Sequence, residues 1–367
     1  MKQNYRILIP DGHSTWAVSV LHCLKEFKRY EFVVLSAREK APIKYSKYTH
    51  SYIYYDILSE IDKVKFIRSI IIEQHIDIIL PIAEEEISFF IRNKTQFLED
   101  TACIPLPNVS DFEVAIDKQK LAVFLENEKL PLPKSITYNG DLELIEQLNF
   151  PILIKPIDEK GGDGIVKLQS IEAFHKHLSV NPSNNLFIQE FIEGYDIDCS
   201  VICNEGEILA YTIQKGYLQG DTPFAPQLGL EFLPQEDILD VVKQLMKRLN
   251  WSGVAHIDLR FDQNQNDFKV IEINARFWGS VEASKVSGIN FPYLSLQMAL
   301  DKAVEAQTYR FINYVRFKGV LKYAVKKPWM LLNLKFLIQN TEVPSIVKDP
   351  LPTLRRFKDW LIRKGVN

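Results

Sequence analysis

The chain has 367 residues, 25% of them charged, and a formal net charge of −3. That length accommodates two or three domains with sizeable cores, and the balance of apolar and charged residues is ordinary for a soluble protein. The small negative charge argues against a general nucleic-acid binder, and no uninterrupted apolar run reaches the length of a membrane span.

Residues 1–108 alternate between strand and helix patterns. A strand is expected over Arg6 to Pro10 and a helix over Ser14 to Arg29. A second strand follows at Glu31 to Ser36, a helix at Asp62 to Gln74 and a strand at Ile76 to Ile82. This order implies a Rossmann-like parallel sheet with helices on its faces. Met1 to Pro10 enters a strand at once and lacks the pattern of a signal peptide. No Gly-x-Gly-x-x-Gly follows the first strand, which disfavours a nicotinamide or flavin site. Pro10 to Ser14 lies at the carboxyl end of that strand, where ligands of such sheets bind, and Ser14 is placed to N-cap the helix. Glu84, Glu85 and Glu86 follow a later strand end. They can touch a substrate or form an acid-rich helix start. Of the four cysteines, Cys23, Cys103, Cys199 and Cys203, the last two fall on one strand face, four residues apart. That is too stretched for a shared metal or a disulfide. Buried free thiols in a reducing cytoplasm are expected.

Pro105 to Pro107 marks a boundary. A helix is expected over Asp111 to Asn127, carrying Asp117 and Lys118, and Pro131 to Pro133 ends that element. Asn149 to Leu168 reads as an apolar strand ending in Lys155, a loop with Gly161, Gly162 and Gly164, and a second apolar strand. Glycines let backbone N–H groups approach phosphates and let a loop close as a lid. Most glycine-rich turns, however, bind nothing. Leu186 to Gly194 is a strand running into a turn, where Glu190 can meet an adenine amine or stand as an exposed strand-end acid, and Asp196, six residues further on, can accept the ribose hydroxyls.

The richest stretch is Asp258 to Arg276, two strands joined by a turn. Alternation puts Val254, His256, Asp258 and Arg260 on one face of the first strand. It puts Val270, Glu272, Asn274 and Arg276 on the matching face of the second. Asp258, Glu272 and Asn274 can give Mg²⁺ a few oxygen ligands, and Arg260 and Arg276 can clamp phosphate oxygens. The plainer alternative is a solvated hairpin face. His256 can complete a transition-metal site or pack as a hydrogen-bonded histidine near a nucleotide. His175 and His177 lie in a polar helix. Without a Ser-His-Asp order or Cys-His motif, nucleophilic catalysis by the protein is not expected. Residues 310–367 carry 13 Lys or Arg against 3 Asp or Glu. They read as a basic helical extension, either a docked cap or a membrane-surface element.

Asp117-Lys118, Lys155 with its glycine loop, Gln189 to Gly194, Asp258, and Glu272 to Arg276 occur in an order that resembles the ATP-grasp superfamily. The resemblance is to the branch of the carbamoyl-phosphate synthase large chain and the predicted carboxylate–amine ligases. Asn274 to Pro292 resembles the helix that follows the metal site in that branch, and Lys348 to Leu354 resembles its tail motif. The resemblance implies a pre-ATP-grasp α/β domain over residues 1–108 and a small lid subdomain over 109–185. A large subdomain with a metal site would span 186–300, and a basic extension 301–367. It implies that Lys118, Lys155, Gly161, Gly162 and Gly164 serve the nucleotide phosphates. Glu190, Phe191 and the Ile192 backbone would hold adenine, and Asp196 the ribose. Asp258, Glu272 and Asn274 would hold one or two Mg²⁺ (or Mn²⁺), with Arg276, Lys215 and Arg260 as catalytic cations. The glycine loop lacks a common Ser or Thr, and Ala275 stands where relatives carry proline. The implied activity is ATP-dependent amide formation from a carboxylate and an amine, both small molecules, through an acylphosphate. A kinase-like or carboxylating relative and a non-catalytic nucleotide-binding module are the alternatives. A homodimer is left open.

Overall fold

The computed structural model describes residues 4–56, 59–97, 101–155, 164–183, 186–220 and 225–363. Its first sheet is parallel and five-stranded. In spatial order the strands are Thr49–Tyr54, Tyr30–Ser36, Tyr5–Ile9, Ile78–Ile79 and Ala102–Cys103. The central strand is apolar over Ile7, Leu8 and Ile9, where both of its faces are covered. Ile7 and Ile9 enter one core cluster and Leu8 enters another. Two strands of this sheet, Thr49–Tyr54 and Ala102–Cys103, escaped the sequence pattern: one is only partly buried and the other is two residues long. The strand expected to end at Ile82 is confined to Ile78–Ile79. The helix expected from Ser14 spans Ala17–Leu24. Ser14 is not its cap, because its hydroxyl accepts from the Trp16 amide at 3.3 Å and the helix starts without a side-chain cap.

The helix expected over Asp111 to Asn127 is two helices, Val109–Ile116 and Lys118–Asn127. The break has a local cause. Asp117 leaves the helical conformation and its carboxylate accepts from the Gln119 and Lys120 amides at 2.8 and 3.0 Å, capping the second helix.

Two antiparallel sheets follow. The smaller has the order Ser135–Tyr138, Leu186–Glu190, Ile152–Lys155, Val166–Leu168. The larger has the order Asp267–Asn274, Gly253–Asp262, Gly194–Asn204, Glu207–Leu218, Gly229–Phe232, Asn313–Val315. Its apolar face, with Ile197, Cys199, Val201, Ile257, Leu259 and Ile273, packs with Val242 and Leu245 of the Glu236–Arg248 helix. All four cysteines are unpaired, and Cys199 and Cys203 lie in this same core cluster.

In the C-terminal region Asn313–Val315 covers the edge of the large sheet and so hides unpaired backbone groups, and helices follow it. The region is tied to the segments around the first sheet through Asp349. The Asp349 carboxylate is 2% exposed. It accepts from the Ser46 hydroxyl at 2.5 Å and the Lys47 amide at 3.1 Å, and lies 3.1 Å from His22 Nε2. The other ring nitrogen of His22 lies 3.4 Å from Glu282.

Burial opposes a charge on His22, but the hydrogen bonds of Asp349 and Glu282 outweigh it and raise its pKa. A group raised in this way stabilises fully below its unfolded pKa, about 6.5, and loses that contribution as the pH climbs through the folded value. Urea unfolding across that range should therefore show stability falling with pH, and His22→Gln should flatten the fall. An unaltered slope in the variant would show that the imidazole is not the group responsible.

Candidate functional site

A cleft of about 470 Å³ opens between the two antiparallel sheets, within the range of small-molecule sites. The small sheet contributes Lys155, Gln189 and Glu190. The large sheet contributes Asp196, Asp198, Gln214, His256, Asp258, Glu272 and Asn274. Lys118, Trp16 and Arg276 close the cleft at its margins.

Strand alternation explains most of this inventory. On Gly194–Asn204, Asp196 and Asp198 face the cleft while Ile197, Cys199 and Val201 enter the core. On Gly253–Asp262, His256 and Asp258 face the cleft while Ala255, Ile257 and Leu259 enter the same core. Asp258 pairs directly with Glu272 and His256 with Asn274. A bulge beside Asp258 then shifts the register. It corrects the simple alternation of the second strand, since Val270 is buried in the core and Ile271 faces the cleft.

The carboxylates crowd together. Burial, then the charges of Glu272 and Asp198, raise the Asp258 pKa well above the ordinary range. Burial pushes Asp198 up to about 7. His256 Nε2 lies 3.3 Å from Asp258 and 3.8 Å from Asp198, while Nδ1 meets the Ser200 hydroxyl at 2.8 Å. The imidazole stacks on Trp278, and burial together with Arg276 lowers its pKa to about 3, so it is neutral. Ligand atoms of Asp198, His256 and Asp258 lie within 4.8 Å of one another. Opposite them, Lys155 is buried and donates to Gln189 Oε1 at 2.7 Å, and burial lowers its pKa to about 8.

Arg276 is 8% exposed and held on every side. It donates to Asn274 Oδ1 and, at 3.0 Å, to the Phe277 carbonyl. Its guanidinium carbon lies 3.9 Å above the Trp16 ring, and its Nε lies 3.5 Å from Glu84. Glu84 thus reaches the site through Arg276, whereas Glu86 pairs with Lys63 at 2.7 Å. Asp11, in the loop after the first strand, is spent on the Ile82 and Ala83 amides at 3.2 and 2.7 Å.

Other expected residues are arranged differently. Lys215 is on the wrong face: its neighbours Gln214 and Gly216 line the cleft, and its ammonium sits 3.4 Å above the Tyr195 ring on the opposite side. Arg260 lines the cleft, but its donors are taken by Asp196 and the carbonyls of Ile192 and Gly194. Glu190 accepts from the backbone and side-chain nitrogens of Asn149 at 2.7 and 3.0 Å. Phe191 lies under the Lys167 ammonium at 3.2 Å. Gly161 and Gly162 lie outside the described residues. Gly164 has φ 72°, a conformation that favours glycine. Asp198, Gln214, Trp278 and Trp16 were missed by sequence reasoning. Asp198 was within reach of it, because the alternation that places Asp196 also places Asp198. Gln214 and Trp278 sit beside residues already singled out, Lys215 and Arg276, whereas Trp16 comes from a stretch distant in sequence.

Residues 115–280 match the family model of the ATP-grasp domain. Over these residues the chain is similar to the ATP-grasp domain. A carbamoyl phosphate synthase large chain from Helicobacter pylori is 26% identical over 239 residues, which cover 57% of this chain and 21% of that one. The chain thus spans about a fifth of the length of the curated relatives it matches. Among solved structures, the biotin carboxylase domain dimer of Hydrogenobacter thermophilus 2-oxoglutarate carboxylase, with MgADP and bicarbonate, is similar. Its TM-score is 0.64 at 16% identity, over 85% of this chain and 73% of that one. The L-amino acid ligase of Bacillus licheniformis has a TM-score of 0.59 at 20% identity, over 83% of this chain and 76% of that one. These structural likenesses establish the ATP-grasp fold alone.

The raised pKa of Asp198 has a measurable consequence. Between its ordinary value and about 7 the folded protein holds a proton that the unfolded chain releases, so stability declines as the pH climbs through that window. Without nucleotide or divalent cation, Asp198→Asn should resist urea better than the parent at about pH 8, by at most a few kcal/mol. The gain should shrink as the pH falls and vanish near about pH 3, below both pKa values. Equal stability of variant and parent at the higher pH would refute the burial argument.

Proposed function

We propose that this protein is an ADP-forming ligase that joins a carboxylate to an amine with ATP. One observation carries the proposal. Asp258 and Glu272 are paired across a hairpin, with Asn274 and Arg276 beside them and the buried ammonium of Lys155 in the same cleft. Carboxylates crowded together in a buried cleft, facing a lysine, suit a cation and a polyphosphate together.

The donor set fits Mg²⁺, since Asp258, Glu272 and Asn274 offer oxygen atoms. Asn274 Oδ1 already accepts from Arg276 and keeps a second lone pair for a cation. When bound there, the ion would neutralise phosphate charge. Lys155 and Lys118 would take the phosphates. Buried Gln214 Oε1 and Trp278 Nε1 have no hydrogen-bond partner among the described residues. They lie where a polar ligand can satisfy them.

In the proposed reaction a carboxylate oxygen attacks the γ-phosphorus of ATP, and the bond to the bridging oxygen breaks to release ADP. The amine nitrogen then attacks the acyl carbon, phosphate departs, and the amine proton passes to solvent. Arg276, already fixed by Trp16, Glu84 and the Phe277 carbonyl, would meet the charge that develops on the transferred group. A donor held in place before the reaction costs no reorganisation during it.

Lys155→Ala should weaken ATP binding by at least ~1.5 kcal/mol in calorimetry, the scale of a charge-assisted hydrogen bond. Unchanged affinity would remove Lys155 from the nucleotide site. Arg276→Ala should bind ATP nearly normally yet lose roughly 10²-fold in turnover, as expected for a transition-state donor. A fall in affinity alone would reassign it to ground-state binding.

The reaction class is tested by screening carboxylates with hydroxylamine in place of the amine. Hydroxamate and ADP should appear together. AMP and pyrophosphate would show adenylate chemistry, and ADP formed only with bicarbonate would favour the carboxylating alternative.

A further inference from the structure

Among the described residues beyond 309, only Arg316 lines the cleft. Their composition differs from the rest of the chain: 13 Lys or Arg and 3 Asp or Glu, against 31 and 44 before them. Moreover, the three acids are spent internally. Asp349 binds His22, Ser46 and Lys47, and Asp359 binds Arg38 and Arg355. Glu342 accepts from the Phe317 amide and pairs with Arg316. The charge this region presents outward is therefore cationic.

Within it, residues 316–340 form a lobe pinned at its base. Val315 bridges to Thr341, and the Val315 amide donates to the Asn340 carbonyl at 2.9 Å. The lobe comprises the helix Phe317–Lys326, the turn Pro328–Leu332 and the helix Leu334–Gln339. Gly319 and Val320 face the protein. Leu321 and Val325, one turn apart, face outward, as do Trp329, Leu332, Leu334 and Ile338. Each of these six side chains is more than half exposed, and Val325 and Leu332 exceed 80%. Isolated exposed apolar residues need no explanation, but six within one pinned lobe do. Exposed lysines 318, 326, 327 and 335 flank them, and no acid occurs between Glu305 and Glu342.

We propose that this lobe is a docking element for an anionic lipid surface. Leucines and a tryptophan enter the boundary between headgroups and acyl chains, while lysines reach the phosphates on their long stems. Charge complementarity selects this occupant. A second copy would bring cation against cation with no acid to relieve it. An anionic bilayer supplies both the negative layer and the apolar layer beneath it. The excess negative charge of the remaining chain turns the body away from that surface and leaves the lobe as the contact. No described helix is long and apolar enough to cross a membrane, so the contact is peripheral.

Co-sedimentation of the full chain with phosphatidylcholine vesicles, with and without phosphatidylglycerol, tests this. Binding should require the anionic lipid and weaken as salt is raised. Lys326→Gln and Lys327→Gln should each lower the apparent affinity about fivefold, the equivalent of one basic residue near the surface. The double substitution Trp329→Ser/Leu332→Ser should lower it at least about tenfold. Brominated lipid should quench part of the tryptophan emission in the parent but not in Trp329→Phe. No binding to anionic vesicles at low salt overturns the proposal. So does binding that ignores both lipid charge and these substitutions. A concentration-dependent dimer in sedimentation equilibrium, abolished by Leu332→Ser, would assign the face to a second copy instead.

Discussion

The site depends on the register between the strands Gly253–Asp262 and Asp267–Asn274, which sets Asp258 directly opposite Glu272. A one-residue slip would send these acids into the core and bring Ile257 and Ile273 into the cleft. The apolar face prevents that slip. Ile257, Leu259 and Ile273 are almost fully buried in the large core, and exposing them would cost several kcal/mol. Hydrophobic burial on one side thus holds like charges together on the other.

Those charges are costly to keep, and the neighbouring elements offset the cost. Lys155 comes from the small sheet, so the lysine and the acids it faces are brought together only when the two sheets pack. Arg276 leaves the same hairpin and lodges between Trp16 and Glu84, both from the first domain. The first domain thereby orients a side chain of the cleft without contributing a strand to it. His256 stays neutral between Asp198 and Asp258 because burial and Arg276 disfavour its cation. Its ring, backed by Trp278 and bonded to Ser200, is a rigid wall of the site.

The C-terminal region combines an attachment with a free surface. Its acids secure it to the first sheet's surroundings and to its own helices, and most of its bases are exposed. Asp349 is the clearest case, since one carboxylate joins the tail to two segments of the first domain through Ser46, Lys47 and His22. The remaining positive surface arises from that internal use of every acid.

The residues by themselves determined the elements and most faces. Period-two alternation identified the hairpin, and apolar runs identified the central strands of the first sheet, because side-chain direction along a strand is a local property. The family order of Lys118, Lys155, Glu190, Asp258 and Glu272 to Arg276 was also legible, since spacing survives without coordinates. Tertiary structure decided what depends on neighbours in space. Packing and pairing fixed the bulge that sends Ile271 rather than Val270 to the cleft, and the strand parity that turns Lys215 away. They also fixed the partners that engage Glu190 and Arg260. Trp16 became a site residue only when the first sheet's loop met the hairpin of the large sheet. Such meetings are set by the burial of cores that no local pattern encodes.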